Sequence, residues 1–341
     1  MSFRTLASIA GLAMAAAVLL PGQSRTETAK TKTWNPPRTA DGHPDLQGIW
    51  TNATLTPLER GVVVAITGER VGAPSVSTLN ISDQDAAAYE KRIKDVGSFD
   101  RRDGGADSDV SRAYNNLFID RGTELARVDG AKRTSLIIDP ADGKIPPLTE
   151  QAREKAGARP ANRYDSVADR PLGERCITGF GSAVGPPMLP VGYNSNYQIV
   201  QTPGYVMILS EMIHEVRTIH MDGRPHLPQD IRQWLGDSVG HWEGDTLVVE
   251  TTNFTGKTRF RGSDENLRVT ERFRRVDANT ILYRFTIDDP SAFTKPWTAE
   301  YPFIASAAPI FEYACHEGNY ALSDILAGAR KSEAEGTAKG R

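Results

Sequence analysis

Between Tyr197 and Phe303 the chain breaks into short runs in which apolar or β-branched residues alternate with polar ones. The runs are 197–201, 205–210, 212–220, 238–242, 246–252, 267–275, 280–287 and 297–303. Turn residues stand between several of them: Pro203-Gly204, Asp222-Gly223, Glu243-Gly244-Asp245 and Asp277-Ala278-Asn279. A period of two buries one face of a strand and leaves the other wet. Short strands at this spacing predict an antiparallel meander that closes on itself. The expected fold is mainly β, a meander closing into a calycin- or lipocalin-like barrel over 196–305. Irregular and short helical segments flank it on the N-terminal and C-terminal sides.

The region 25–195 is expected to wrap that core. It begins with a polar, Pro-containing arm, and Asp45–Trp50 is its first strand-like piece. A helix is expected over Ile81–Lys94, with Ser82 and Asp83 at its start, and Asp95–Val110 reads as a Gly/Asp-rich loop. Arg133–Asp139 reads as a strand, and Thr149 as the N-cap of a second helix. Residues 155–195 are rich in Gly and Pro, and a loop of that length either carries function or wraps a surface. A turn and helix are expected over 306–330, then a disordered tail over 331–341.

The N-terminus reads as an export signal. Arg4 precedes the apolar run Leu6–Leu20, and Pro21-Gly22-Gln23-Ser24 offers small residues for cleavage, giving a signal peptide over 1–24. The run is shorter than the ~20 apolar residues of a membrane span. The mature protein is therefore expected in the periplasm or secreted, with no stable membrane insertion. Net charge is −3 and the basic residues are dispersed, which argues against a nucleic-acid partner. In an oxidising compartment the two cysteines, Cys176 and Cys315, can pair. Two buried free thiols are the alternative.

Strand parity selects the chemistry. If 212–220 is one strand, Met212, His214, Val216, Thr218 and His220 share a face that resembles a cavity lining, while Glu215 and Arg217 share the other. In 267–275 the Arg residues face solvent, so Glu271 points inward with Leu267, Val269 and Phe273. Loss of hydration raises a carboxyl toward the range useful for acid/base work, unless an inward Arg such as Arg217 neutralises it. Tyr283 and Phe285 face the same interior and suit an apolar or aromatic ligand. His316 and Glu317 follow Cys315 in a turn. There His316 serves either as a general base or as a hydrogen-bond partner at a helix start.

Four histidines fall within 205–252, but His214 and His220 are six positions apart, ~20 Å on an extended strand. They cannot share an ion without a sharp bend, and no metal site is expected. No Gly-x-Ser-x-Gly elbow and no Gly-rich phosphate loop occurs. Arg224 and His226 lie in a polar turn, either meeting an anion or satisfied locally.

The motifs Arg38-Thr39-Ala40-Asp41-Gly42-His43-Pro44-Asp45-Leu46, Arg133-Thr134-Ser135-Leu136, Arg175-Cys176, Trp242–Val249 and Cys315-His316-Glu317-Gly318-Asn319-Tyr320 span nearly the whole mature chain. Their pattern resembles a family of uncharacterised exported bacterial proteins. The resemblance implies export and a shared fold and brings no reaction with it. In that pattern other residues often stand at the positions of His43, His220 and His241, which argues against shared roles for those three.

The favoured functional reading is an exported enzyme that needs no cofactor. It would act as a lyase, isomerase or hydrolase on a small, partly apolar or aromatic molecule held in the barrel. His214, Glu271, His316 and Glu317 would move protons, Arg217 or Tyr193 would polarise the substrate, and Tyr283 and Phe285 would line its site. The alternative is a periplasmic small-molecule binding protein without catalysis. Convergence of Glu271, His214 and His316 on one cavity favours the first, and scattered positions favour the second. A structural or envelope-associated protein is a third reading and predicts no enclosed cavity.

Overall fold

The computed structural model describes residues 34–64, 70–72, 76–96, 105–106, 119–157, 163–180 and 183–336. The chain divides into Met1–Trp34 and Asn35–Arg341, and the fold below is that of the second unit. The expected signal peptide and most of the loop over 95–110 lie outside the described residues.

Fifteen strands are described. The N-terminal ones are β1 (Gly48–Thr51), β2 (Val62–Val64), β3 (Arg70–Gly72), β4 (Asn80–Ile81), β5 (Arg127–Val128), β6 (Ala131–Arg133) and β7 (Ile137–Asp139). The remainder are β8 (Asn196–Thr202), β9 (Tyr205–Ser210), β10 (Val216–His220), β11 (Asp237–Glu243), β12 (Thr246–Thr252), β13 (Arg268–Asp277), β14 (Thr280–Asp288) and β15 (Trp297–Ala305). Three helices accompany them: α1 (Asp83–Val96), α2 (Glu150–Gly157) and α3 (Ala321–Ala334). Thr149 caps α2, its hydroxyl accepting from the Ala152 N–H at 3.1 Å. The C-terminal helix runs to Ala334, past the expected boundary at 330. Among the described residues no helix is long and apolar enough to cross a membrane.

Strands β8 to β15 follow one another around a sheet, and β1 pairs with both β8 and β15, closing a nine-stranded barrel. The expected meander is present with two additions. The piece around Trp50, placed by its sequence in the wrapping region, supplies the closing strand. The β10–β11 pair is parallel, Ile219 opposite Ser238, because residues 221–236 return along the outside before β11 begins. Strand β7 adds to β15 at Asp139 and Ile137.

Alternation fills the interior. Val269, Glu271 and Phe273 of β13, Ile281, Tyr283, Phe285 and Ile287 of β14, and Trp297, Ala299, Tyr301 and Phe303 of β15 all have no exposed surface. Tyr283 packs against Phe273, Tyr301 and Phe303 with ring centroids 4.9–5.3 Å apart. Burying each such aromatic contributes about 1.5–3 kcal/mol. The barrel is thus a packed core, as small barrels are when large side chains occupy their inward positions.

Each end is sealed differently. At the end carrying the β8–β9, β11–β12 and β13–β14 turns, the Arg38–Leu46 motif folds over the barrel. Arg38 Nη2 meets Asp245 Oδ1 at 2.7 Å, the His43 ring stacks on Trp242 at 5.0 Å, and the Leu46 side chain is fully buried. At the opposite end, where β1 finishes and β8 starts, residues 183–188 enter the core. The Tyr197 hydroxyl donates to the Ala183 carbonyl and the Tyr301 hydroxyl to the Met188 carbonyl, both at 2.5 Å. The Met188 N–H donates to the Tyr283 hydroxyl at 3.2 Å.

Candidate functional site

The structure separates the residues that sequence parity groups together. Residues Met212–His214 form a 3-10 turn rather than the start of a strand, with φ of 63° at Ile213 and 46° at His214. The strand begins only at Val216, so its parity is reversed: Arg217 and Ile219 face the core, while Val216 and Thr218 face solvent. His214 is exposed. Glu211 holds the turn in place, accepting hydrogen bonds from Asn194 Nδ2 at 2.9 Å and Asn196 Nδ2 at 2.5 Å.

Glu271 points inward as expected, but its partner is Arg217. Arg217 Nη1 donates to Oε2 at 2.5 Å and Nη2 to Oε1 at 3.1 Å, and the Tyr283 hydroxyl donates to Oε1 at 2.7 Å. The Tyr283 phenol is held well above its ordinary pKa, first by burial and then by the Glu271 charge. Tyr283 and Phe285 are packed in the core and present no surface to a ligand. This corrects the expectation of a ligand cavity lined by those rings, because the interior they face is filled by one another.

His316 and Glu317 are exposed in the turn after Cys315. Cys176 and Cys315 form a disulfide with Cα atoms 5.9 Å apart, across 139 residues of sequence. It ties the C-terminal segment to residues 171–178. Glu271, His214, His316 and Glu317 therefore share no cavity: one is inside the barrel and three are on its outside.

A second ionisable group is satisfied locally. The buried Asp237 carboxylate accepts from Arg224 Nη2 at 2.5 Å and Nη1 at 3.1 Å, from the Leu227 N–H at 3.0 Å, and faces His226 Nδ1 at 3.0 Å. Burial alone raises its pKa, but the Arg224, Leu227 and His226 hydrogen bonds outweigh this and hold it below the usual carboxylate range. This cluster pins the 221–236 crossover to the start of β11. Among the described residues no group of three or more His, Cys, Asp or Glu is disposed to hold a metal ion.

A cavity open to solvent on one side lies at the end sealed by residues 183–188. Thr54–Glu59, leaving β1, and Leu189–Tyr193, entering β8, form two walls of a cavity of about 600 Å³. Leu136, Met212 and Ile93 supply apolar contacts, and Phe180, Arg121 and Arg261 stand around it. The wall 189–193 continues directly from Met188, so the tyrosine hydroxyls inside the barrel position it. Burial pulls Arg121 below the ordinary guanidinium pKa.

Of the expected site residues only Tyr193 lines this cavity. Arg121, Phe180 and Arg261 have no motif around them, and they come from three segments well separated in the sequence. The one signal was the Gly/Pro-rich length of 155–195. A wider groove of about 1130 Å³ runs along α1, lined by Asp85, Lys91, Arg92 and Asp95 among others. Comparison with models of protein families, with curated proteins and with solved structures gives no significant match to this chain.

Proposed function

We propose that this is an exported small-molecule binding protein, periplasmic or secreted, that holds a partly apolar ligand in the cavity between residues 54–59 and 189–193. The observation that carries the reading is the cavity's composition. Its volume of about 600 Å³ suits a small organic molecule, since ligand sites are concave, mostly apolar and hold a few polar groups. Leu55, Leu58, Leu189 and Val191 offer apolar contact, and Tyr193 adds a ring with a polar tip. Scattering of the acid/base groups supports binding without catalysis over the acid/base enzyme reading. Export is supported by the disulfide, which persists in oxidising compartments, and by the N-terminal residues 1–24 read as a signal.

Binding here needs little reorganisation. The 189–193 wall is fixed through Met188 to the hydroxyls of Tyr283 and Tyr301, and the 54–59 wall through the Thr56 hydroxyl, which accepts the Ala126 N–H at 2.7 Å. A preformed site keeps the ordering cost of association low.

The test is native purification and mass spectrometry of small molecules released on denaturation, run for wild type and Val191→Trp. The expected result is a small molecule present with wild type and depleted from the variant, whose indole occupies the cavity. Identical extracts from both proteins overturn the assignment.

A further inference from the structure

We infer that the surface formed by residues 230–234 and 255–259 docks on anionic phospholipid, a peripheral contact that inserts no strand or helix into the bilayer. The inference stands on observations separate from those behind the binding reading.

The two segments are laced together. Residues 230–234 belong to the crossover between β10 and β11, and 255–259 to the connection from β12 to β13. The Thr255 N–H donates to the Gln233 carbonyl at 3.0 Å, the Thr258 hydroxyl to the Trp234 carbonyl at 2.8 Å, and Arg232 Nη1 to the Phe254 carbonyl at 3.1 Å. Ile231 and Trp234 are 48% and 37% exposed, and Lys257 and Arg259 are exposed on the neighbouring segment.

The cations here keep their charge. Arg232 also donates to the Glu265 carbonyl at 2.8 Å, so its hydrogen bonds are to neutral groups. Among the described residues no carboxylate lies within ion-pair distance of Arg232, Lys257 or Arg259. Of the carboxylates in these stretches, Asp264 pairs with Lys155, and Asp230 and Glu265 remain.

A soluble polyanion would meet the cations and leave Ile231 and Trp234 in water. An uncharged protein partner would cover those two side chains and leave the cations uncompensated. An anionic bilayer answers both. Its interface accepts an indole at headgroup level, and Lys and Arg lay their stems on apolar surface while their heads reach phosphate. Clustered cations are attracted to such a surface within a Debye length.

The test is cosedimentation of the full-length mature protein with vesicles of phosphatidylcholine alone, or of phosphatidylcholine and phosphatidylglycerol in equal parts, at low salt. Wild type is expected to sediment with the mixed vesicles and only weakly with phosphatidylcholine. The double variant Lys257→Gln, Arg259→Gln should bind the mixed vesicles about thirtyfold more weakly, the scale of two cations at an anionic surface. Ile231→Ser should weaken binding while keeping the requirement for phosphatidylglycerol. Thermal melts check folding. Should the double variant fail to fold, Asp230→Asn decides, since it removes a negative charge from the same surface and must tighten binding. No sedimentation with mixed vesicles, equal sedimentation with both kinds, or unchanged binding in the folded double variant overturns the assignment. Retention on dextran sulfate without vesicle binding overturns it in favour of a soluble polyanion. Each of these results leaves the ligand-binding reading in place, because small molecules released from the cavity are measured without vesicles.

Discussion

Arg217 on β10 and Glu271 on β13 meet inside the barrel through two parallel hydrogen bonds, of 2.5 Å and 3.1 Å, with side chains 4% and 0% exposed. The pair bridges opposite parts of the wall, and Tyr283 extends it to the backbone of Met188. Losing one partner leaves a buried charge without compensation, which costs about 3–5 kcal/mol. Glu271→Gln and Arg217→Met are each expected to lower the unfolding free energy by that amount in denaturant titration. The double variant should lose clearly less than the sum. Additive losses would contradict a coupled pair.

Asp237 makes stability depend on acid. Its folded pKa is depressed below the ordinary 3.8, so its contribution is complete above that value and is lost as pH falls through the folded pKa. Asp237→Asn should lower stability at neutral pH by about 1.5–3 kcal/mol, the range for hydrogen bonds to a charged group. The difference between wild type and variant should shrink toward pH 3 (about one unit below the ordinary Asp value). Denaturant unfolding at both pH values measures it, and a difference that holds constant would show that the carboxylate does not carry the effect.

Reduction of Cys176–Cys315 should act locally. No residue of α3 is buried, so the disulfide is a principal tether of the C-terminal segment to the 171–178 turn. Limited proteolysis of the reduced protein is expected to remove the segment after residue 306 first, leaving a folded barrel. Cys315 and Tyr313 pack against the cluster that contains Met212 and Ile213, so loss of the tether should also weaken binding in the adjoining cavity. Proteolysis starting instead within β8–β15 would assign the disulfide to the core.

Gly236 and Gly223 offer a paired test of backbone demand. Both have positive φ, 71° and 73°, but a Cβ on Gly236 would stand 2.5 Å from the Thr252 carbonyl oxygen, whereas Gly223 has open space. Gly223→Ala should cost about 1–2 kcal/mol, the price of a left-handed conformation. Gly236→Ala should cost more, and equal thermal shifts would count against the close approach.

Much of the barrel is legible because its strands obey the alternation. In 267–275 the inward set Leu267, Val269, Glu271 and Phe273 matches the buried side chains, and 280–287 follows the same rule. Residues 212–220 fail for a definite reason. Ile213 and His214 adopt positive φ, which a β-branched residue rarely does, and this break shifts the face of every residue after it. Facing inward also does not distinguish a cavity from a packed core; ring-on-ring contact among Tyr283, Phe273 and Phe303 decides that, and it depends on strand closure. The cavity is the least legible part, since Leu55 and Val191 are brought together by closure of β1 against β8 and carry no local pattern.

The central claim is that ligand is held beside the 189–193 wall and not within the barrel or by the exposed histidines. It is tested most directly by titrating wild type, Val191→Trp, His214→Ala and His316→Ala with N-phenylnaphthylamine and following its emission. The account predicts one saturable site in wild type, unchanged in both histidine variants and weakened about tenfold or more in Val191→Trp, where the indole removes apolar contact worth at least one decade of affinity. Saturable binding that survives Val191→Trp and is lost in His214→Ala or His316→Ala would contradict it.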